Sequence, residues 1–466
     1  MKILLLSIAA TFAATAADYP PLGAVPNPDS RGPGIQRTMA LLATSTPEKR
    51  NPVRILFYGQ SITEQNWSKI VAEDLRKRFP NADLTIENRA IGGHASSLLV
   101  KTAEADLYPF YPDLVIFHVF GDHRRYEDII RRIRERTTSE VLLQSDHLSA
   151  SAKMDEETDP SKLTPANWEP WFNYSFLPSL VEKYGVALAT QRDDWKRYLA
   201  SNKLEPKDLL KDGVHLNPHG EFLMAEIVKT YLRYDPAHPP ADPGPVRTIP
   251  LEAGKYPYEI KFTGNRVDAV VDASADHTDI AILIDGKPPS EIRSTAVFTK
   301  VSGYRGTNWP CLLRIQRGPT DLLEETWTIR LSGANDDYST FRFSLTGSET
   351  GPDGEGSATE KFVSKSGRIV IDPSDWNLQY SKNVFKQPLE PDAGITFSVK
   401  RLSPDRFTAK PGTSTIVQGL AAGEHVLTLR PVAGEPKITA LRIYNPPVQS
   451  SEEPAPDTSR TPAQEN

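Results

Sequence analysis

The spacing of apolar residues changes at a proline-rich segment, and this change constrains the fold more than any other feature. The segment Asp235 to Pro245 contains Pro-Pro and Pro-Gly-Pro, which neither a helix nor a central strand accommodates. Before it, from Val53 to Tyr234, short apolar runs alternate with helical patterns, whereas after it apolar residues recur at every second position. The 466-residue chain is therefore predicted to form two domains, residues 18–234 and 251–446, joined by a semi-rigid linker over residues 235–250.

Residues 18–234, the α/β domain, alternate strand patterns with helix patterns. The predicted strands are residues 53–58, 83–91, 113–119, 140–144 and 186–189. The predicted helices include residues 64–79, 129–136 and 176–184. Such alternation predicts a parallel sheet covered on both faces, with its reactive groups at the carboxyl ends of the strands.

Residues 251–446, the β domain, have short period-two runs separated by Gly, Pro and Asp. The predicted strands are residues 267–271, 280–284, 327–331, 341–345, 395–399, 425–429 and 438–443. Asp285-Gly286 is typical of a hairpin turn. These features predict an all-β sandwich, followed over residues 447–466 by a disordered tail rich in Pro, Ser, Glu and Thr.

Residues 1–17 have the pattern of a cleaved secretory signal. Lys2 precedes an apolar run over residues 3–12, and small residues follow up to Ala17. The run is shorter than the roughly 20 residues that cross a bilayer, which favours cleavage over the alternative of an uncleaved anchor. Cys311 is the only cysteine, and export without disulfides favours a bacterial secreted or periplasmic protein.

Charge and ligand chemistry exclude several classes of partner. The net charge of −6 provides no basic field for nucleic acid or an anionic membrane. A single cysteine excludes a cysteine-based zinc site, and no histidine or carboxylate cluster suggests another metal. We therefore expect no cofactor and no metal, and the sequence does not predict the oligomeric state.

Three stretches of the α/β domain can carry chemistry. Ser61 follows the first strand in Tyr58-Gly59-Gln60-Ser61-Ile62-Thr63, where a strand-to-helix turn presents a hydroxyl beside backbone N–H groups. The alternative is an ordinary turn with a helix cap.

The second stretch, Lys211-Asp212-Gly213-Val214-His215, places a carboxylate three residues before a histidine, which can hold the imidazole in one tautomer. The alternative is a surface aspartate and a cap-forming histidine ahead of a helix that begins at Asn217. His219 is a competing base without an acid at that spacing, and we expect it to be structural.

The third stretch, Asn88-Arg89-Ala90-Ile91-Gly92-Gly93-His94, leaves the second strand. Its paired glycines allow the backbone to approach closely, so one N–H can point into a site. The alternative is an ordinary turn.

In this order and spacing, the three stretches resemble the motif blocks of the SGNH (GDSL-type) hydrolase superfamily over about residues 50–234. The resemblance implies a flavodoxin-like three-layer αβα domain, followed here by the β-sandwich. It implies that Ser61 is the nucleophile, that His215 is the general base and then acid, and that Asp212 orients His215. The N–H groups of Ser61 and Gly93 would form the oxyanion hole.

The chain departs from the family after the third strand, where Gly121-Asp122-His123 stands in place of Gly-x-Asn-Asp. Asp122 aligns with an asparagine that donates to the oxyanion, whereas an ionised aspartate only accepts. Three explanations stay open: Asp122 is protonated, His123 supplies the donor, or the hole works with Ser61 and Gly93 alone. A fourth is a binding protein on a decayed hydrolase scaffold.

Substrate features are less specific. Trp168 and Trp171 follow a polar insertion after the fourth strand, where they either stack on a sugar ring or pack in the core. Together with His123 they are the candidate substrate contacts. In the β domain, glycan contact is open to Trp309, Trp327 and Trp376, with core packing expected for Trp327.

The resemblance, the export signal and the second domain together predict a secreted serine esterase. Its expected substrate is an acylated carbohydrate, with acetyl groups on a polysaccharide as the first choice. A lipid or small-ester hydrolase is the alternative within enzymes, although no long apolar run lies near the motifs. A glycan-binding protein without turnover is the alternative from another class.

Overall fold

The computed structural model describes residues 19–120, 123–240, 244–252, 254–275, 278–390, 393–434 and 436–448. Three sequence predictions concern residues outside these ranges: the secretory signal over residues 1–17, the role of Asp122, and most of the tail over residues 447–466. Within the described ranges, no helix combines the length and the apolar character that crossing a membrane requires.

The α/β domain is built on a parallel five-stranded sheet with the strand order β2-β1-β3-β4-β5. Its strands are β1 (Pro52–Gly59), β2 (Asp83–Asn88), β3 (Leu114–His118), β4 (Glu140–Gln144) and β5 (Ala187–Ala189). The central strand β3 is buried along its whole length, because helices cover both faces of the sheet.

Helices cover this sheet in two layers. They are α1 (Gln36–Ala43), α2 (Ser61–Glu64), α3 (Trp67–Arg78), α4 (Ser96–Asp106), α5 (Tyr126–Arg136), α6 (Trp168–Trp171), a π-helical turn (Phe172–Phe176), α7 (Leu177–Tyr184), α8 (Gln191–Asn202) and α9 (Pro218–Tyr231). The apolar sides of α1, α3, α8 and α9 pack on one face, and those of α4, α5 and α7 pack on the other. The predicted three-layer αβα architecture is confirmed.

Two of the differences between predicted and observed boundaries lie close to Ser61. The strand predicted over residues 83–91 ends at Asn88, because the Asn88 Oδ1 atom accepts the Ala90 N–H at 2.9 Å and turns the chain. The helix predicted over residues 64–79 is two helices, α2 and α3, because Gln65 between them has an extended backbone.

The β domain contains antiparallel sheets of six, five and three strands, with the orders β17-β8-β18-β7-β19-β6, β13-β12-β11-β16-β9 and β10-β15-β14. The strands are β6 (Val246–Pro250), β7 (Tyr258–Val271), β8 (Thr278–Ile284), β9 (Ala296–Phe298), β10 (Gln316–Arg317), β11 (Thr326–Ser332), β12 (Arg342–Gly347), β13 (Gly351–Ser357), β14 (Phe362–Val363), β15 (Ile369–Ile371), β16 (Ile395–Arg401), β17 (Arg406–Ala409), β18 (Gly412–Pro431) and β19 (Ile438–Tyr444). One helix, α10 (Leu378–Phe385), precedes β16. The predicted all-β architecture is confirmed.

The linker prediction is wrong for its last five residues. Val246–Pro250 forms β6, which pairs with β19 from Tyr444 to Ala440 at the edge of the six-stranded sheet. The prolines become sparse after Pro245, so this stretch can pair, and Pro250 is tolerated because it ends an edge strand.

The β domain packs directly against the α/β domain. One continuous apolar cluster contains Leu99 and Ile129 of the α/β domain together with Trp309 and Phe343 of the β domain. Polar contacts cross the same boundary, including an ion pair between Lys101 and Asp375 at 2.9 Å. The two domains therefore share part of their cores instead of hanging together by the linker alone.

Candidate active site

Ser61 stands at the junction between β1 and α2. Gly59 is required at this turn, because a Cβ atom there would lie 2.1 Å from the His118 carbonyl oxygen. Gln60 links the turn to the residues that follow β3, by donating from Nε2 to the Phe120 carbonyl at 2.6 Å. Ser61 is the first residue of α2, so its N–H has no partner within the helix.

The structure brings His215 and Asp212 to Ser61. His215 Nε2 lies 2.9 Å from Ser61 Oγ, and His215 Nδ1 lies 2.9 Å from Asp212 Oδ2. A carboxylate only accepts, so the proton of the neutral imidazole resides on Nδ1 and the Nε2 lone pair faces the hydroxyl. This arrangement allows His215 to take the Ser61 proton.

Backbone hydrogen bonds hold Asp212 in its ionised form. The N–H groups of His215 and Val214 both donate to Asp212 Oδ1 at 2.8 Å. These bonds lower the pKa of Asp212 to about 2, with a smaller contribution from the imidazole. The carboxylate can therefore stabilise an imidazolium on His215 at any working pH.

The segment that carries His215 is fixed from two sides. Gln65 forms two bonds to Leu216, donating to its carbonyl at 2.8 Å and accepting its N–H at 3.0 Å. His147 Nε2 lies 2.7 Å from the Val214 carbonyl, and burial lowers the pKa of His147 to about 4, so the ring is neutral and donates. Sequence reasoning missed Gln65 and His147, because neither belongs to the three motif stretches.

His219 contacts other groups. Its Nε2 atom lies 2.7 Å from Tyr198 Oη, and its ring stacks on Tyr19 with a centroid distance of 4.3 Å. These contacts agree with a structural role for His219.

The Gly92–Gly93 turn lies beside Ser61. A Cβ atom on Gly92 would lie 3.7 Å from the Ser61 Cβ, and Gly93 has a φ of +74°, which favours glycine. Glu64 Oε2 accepts the Gly92 N–H at 3.1 Å, and the His94 N–H donates to the Ile91 carbonyl. Among the described residues, the hydrogen bonds include none from the Gly93 N–H, which is therefore free to meet a ligand oxygen.

Asn88 ties this turn to α2, the helix that begins at Ser61. Its Nδ2 atom donates to the Thr63 carbonyl at 2.7 Å and to Ser68 Oγ at 2.9 Å, joining α2, α3 and the end of β2. Its role was not predicted, although it opens the third motif stretch.

His123 and the two tryptophans form one aromatic cluster. Trp168 Nε1 donates to His123 Nδ1 at 2.7 Å, and Trp171 meets the His123 ring edge-on at 5.1 Å between centroids. Trp168 also stacks on Phe172, and Trp171 stacks on Phe176. Both tryptophans are partly buried, and Phe120 connects Trp168 to the loop that Gln60 holds. Contact of these residues with substrate stays a prediction, as does any role of Asp122, which lies outside the described residues.

The tryptophans of the β domain divide into two groups. Trp327 is fully buried, as expected for a core residue, and Trp376 packs edge-on against Phe341 and Phe343. Trp309 instead contacts the Gly92–Gly93 turn. Its ring lies so close to Gly93 that a Cβ atom added there would be 2.8 Å from the ring. Within the described ranges, no group of three His, Cys, Asp or Glu residues is placed to hold a metal.

No family model and no curated protein matches the chain. Similar solved structures include a two-domain esterase active on acetylated mannans, with 17% identity, a TM-score of 0.33, and coverage of 88% of this chain and 93% of its own. An acetylxylan esterase from Geobacillus stearothermophilus has 15% identity and a TM-score of 0.32, covering 41% of this chain and 98% of its own. A GDSL-like lipase from Parabacteroides merdae has 19% identity and a TM-score of 0.32, covering 40% of this chain and 100% of its own.

The resemblance of the three motif stretches to SGNH (GDSL-type) hydrolases stays a prediction from the sequence. Because the similarities to solved structures are distant, the function has to be inferred from the geometry of the site.

Proposed function

We propose that this chain is an exported serine esterase that removes acyl groups, acetyl above all, from a polysaccharide or oligosaccharide. The observation that carries the proposal is the hydrogen-bonded series Ser61–His215–Asp212, with 2.9 Å at both joints. A hydroxyl is a weak nucleophile until a base takes its proton, and this series provides the base and a carboxylate that orients it.

The first half of the reaction forms an acyl-enzyme. His215 Nε2 takes the proton of Ser61 as Oγ attacks the ester carbonyl, and the resulting tetrahedral oxyanion accepts from the N–H groups of Ser61 and Gly93. As the carbon–oxygen bond to the sugar breaks, the His215 imidazolium returns its proton to the sugar oxygen. The deacylated sugar leaves, and the acyl group remains on Ser61 Oγ.

The second half repeats these roles with water. His215 takes a proton from a water molecule, the hydroxide attacks the acyl carbon, and the same two N–H groups stabilise the second oxyanion. The imidazolium then protonates Ser61 Oγ as it leaves, which releases acetic acid and restores the enzyme. Asp212 stays ionised throughout and stabilises the imidazolium in both halves.

Carbohydrate is the proposed substrate class for three reasons. The export signal predicted over residues 1–17 and the β domain beside the site both suit a polysaccharide substrate, and the partly buried Trp168–Trp171 cluster can offer a ring face to a sugar. His123, Trp168 and Trp171 are the proposed substrate contacts.

The test is acetate release from acetylated xylan and acetylated mannan, measured beside hydrolysis of p-nitrophenyl acetate and of a long-chain p-nitrophenyl ester. We expect wild-type activity on a polysaccharide and on p-nitrophenyl acetate that is lost in Ser61→Ala. The matched control is Ser201→Ala, an exposed serine on α8, which should keep wild-type rates.

The other outcomes each contradict part of the proposal. Turnover of the long-chain ester alone would indicate a lipid hydrolase. Glycan binding that is equal in wild type and Ser61→Ala, without acetate release, would indicate a binding protein.

A further inference from the structure

The turn that carries Gly93 is held by the β domain, which is more than 200 residues further along the chain. Asn308 Nδ2 donates to Glu64 Oε1 at 2.6 Å and to the Ala90 carbonyl at 3.1 Å. The other oxygen of Glu64 accepts the Gly92 N–H. Asn308 therefore connects α2, which carries Glu64, to Ala90 directly and to Gly92 through Glu64.

Tyr380 and Trp309 hold Gly93 itself. Tyr380 Oη donates to the Gly93 carbonyl at 2.7 Å, and the Tyr380 ring stacks on Trp309 with a centroid distance of 5.1 Å. The Trp309 ring occupies the place where a Gly93 side chain would be. The contact with Trp309 and the bond from Tyr380 together fix the left-handed backbone of Gly93.

A third contact sets the direction of the Gly93 N–H. This N–H shares a planar peptide unit with the Gly92 carbonyl, so whatever orients the carbonyl orients the N–H. His94 Nδ1 lies 3.3 Å from that carbonyl, and His94 Nε2 lies 3.3 Å from Asn377 Nδ2. Because an amide nitrogen only donates, His94 Nε2 accepts from Asn377. The neutral ring therefore carries its proton on Nδ1, and this proton points to the Gly92 carbonyl.

We propose that Asn308, Tyr380, Trp309 and Asn377 are positioning residues that complete the oxyanion hole from the β domain. This inference rests on the proposed function, since it concerns the Gly93 N–H of the same reaction. The β domain then contributes to the chemical step itself, in addition to any contact with a glycan chain.

The proposal separates two effects that are otherwise confounded. A residue that only binds glycan affects KM for polysaccharide and leaves the hydrolysis of p-nitrophenyl acetate unchanged. A residue that positions an oxyanion donor lowers kcat on both substrates, because every ester forms the same tetrahedral centre.

The test uses two variants of the full-length chain. Tyr380→Phe removes the hydroxyl and keeps the ring, and Asn308→Asp keeps the shape but places a carboxylate against Glu64. Losing an oxyanion donor altogether costs on the order of 10²–10³ in rate, so a misdirected donor should lower kcat about tenfold. We expect this fall on p-nitrophenyl acetate, with KM changed less than about twofold.

The matched control is Tyr111→Phe, which removes a hydroxyl bond of 2.7 Å to Asn265 at another place on the domain boundary. It should keep wild-type kcat. Hydrogen–deuterium exchange over residues 89–94 supplies a second measurement, and it should become faster in the two test variants and stay unchanged in the control.

Three results would overturn the inference. If both variants keep wild-type kcat while Ser61→Ala is inactive, the proposed function stands and the positioning role is wrong. If only KM for polysaccharide rises, the residues bind glycan and do not position the hole. If wild type hydrolyses neither ester, the proposed function falls and this inference falls with it.

Discussion

At the scale of single residues, an aspartate–histidine bond with a spacing of three positions occurs twice among the described residues. Asp212 and His215 are three positions apart and 2.9 Å apart, and Asp235 and His238 repeat both values. Within the part of the chain that the structure describes, only the first pair has a hydroxyl at the other ring nitrogen, because β1 and the segment before α9 meet at the same edge of the sheet. The motif thus acquires a function from the fold around it.

The two aspartate–histidine pairs allow the same substitution to be compared at both places. Asp212→Asn keeps the shape but removes the charge that stabilises the imidazolium, so kcat should fall by about 10²–10⁴. Asp235→Asn makes the same change at the same spacing and should leave kcat unchanged. Steady-state kinetics on p-nitrophenyl acetate measure both, and an Asp212→Asn enzyme with wild-type kcat would contradict the role of Asp212.

The sequence sufficed to predict the hydrogen-bonded residues Ser61, His215 and Asp212, but not the residues that hold the Gly92–Gly93 turn beside them. Ser61, Asp212 and His215 lie in short motifs with a recognisable chemical logic. Asn308 and Tyr380 do not, because period-two patterning indicates which residues face a core and does not indicate which loop meets another domain. Their role depends on long-range packing, and no local pattern encodes it.

At the scale of elements, the site depends on tight junctions where strands end. β1 passes to α2 through Gly59, where an added Cβ atom would collide with the His118 carbonyl at the end of β3. β2 ends at Asn88, whose side chain reaches α2 and α3. The alternation of apolar runs predicted the strands of the sheet well. Where each strand ends depends on hydrogen bonds between side chains and the backbone, and the amino-acid composition gives little indication of such bonds.

The junction after β1 predicts a stability effect. In Gly59→Ala the added methyl would lie 2.1 Å from a backbone oxygen, so the strands must separate locally. We expect the free energy of unfolding to fall by about 2 kcal/mol or more. Denaturant titration measures this, with Gly423→Ala as the control, since a Cβ there meets nothing within 4 Å. Equal stability of the two variants would contradict the prediction.

At the scale of the whole molecule, two buried histidines couple folding to pH. Burial lowers the pKa of both His94 and His147 to about 4, from an ordinary value of 6.5. Above pH 6.5 both are neutral in the folded and unfolded chain, and no penalty exists. As the pH falls from 6.5 to 4, only the unfolded chain takes up these protons, so unfolding becomes more favourable.

The expected loss is at most about 3 kcal/mol per histidine across that interval. Denaturant titrations at pH 7, 6, 5 and 4 measure it. His94→Gln, whose amide can accept from Asn377 and donate to Gly92 without titrating, should flatten part of the curve. A wild-type curve that is level between pH 7 and 5 would contradict the prediction.

The apolar cluster that spans both domains has a consequence for how the chain can be shortened or recombined. A fragment that ends near residue 240 would expose the apolar surface that the β domain covers, so we expect it to aggregate. The Gly92–Gly93 turn would also lose its contacts with Asn308 and Tyr380, so we expect ester hydrolysis by the fragment to be slower. We therefore expect recombination at residues 235–245 to disrupt this shared core, whereas it is tolerated in proteins whose domains meet only through a flexible linker.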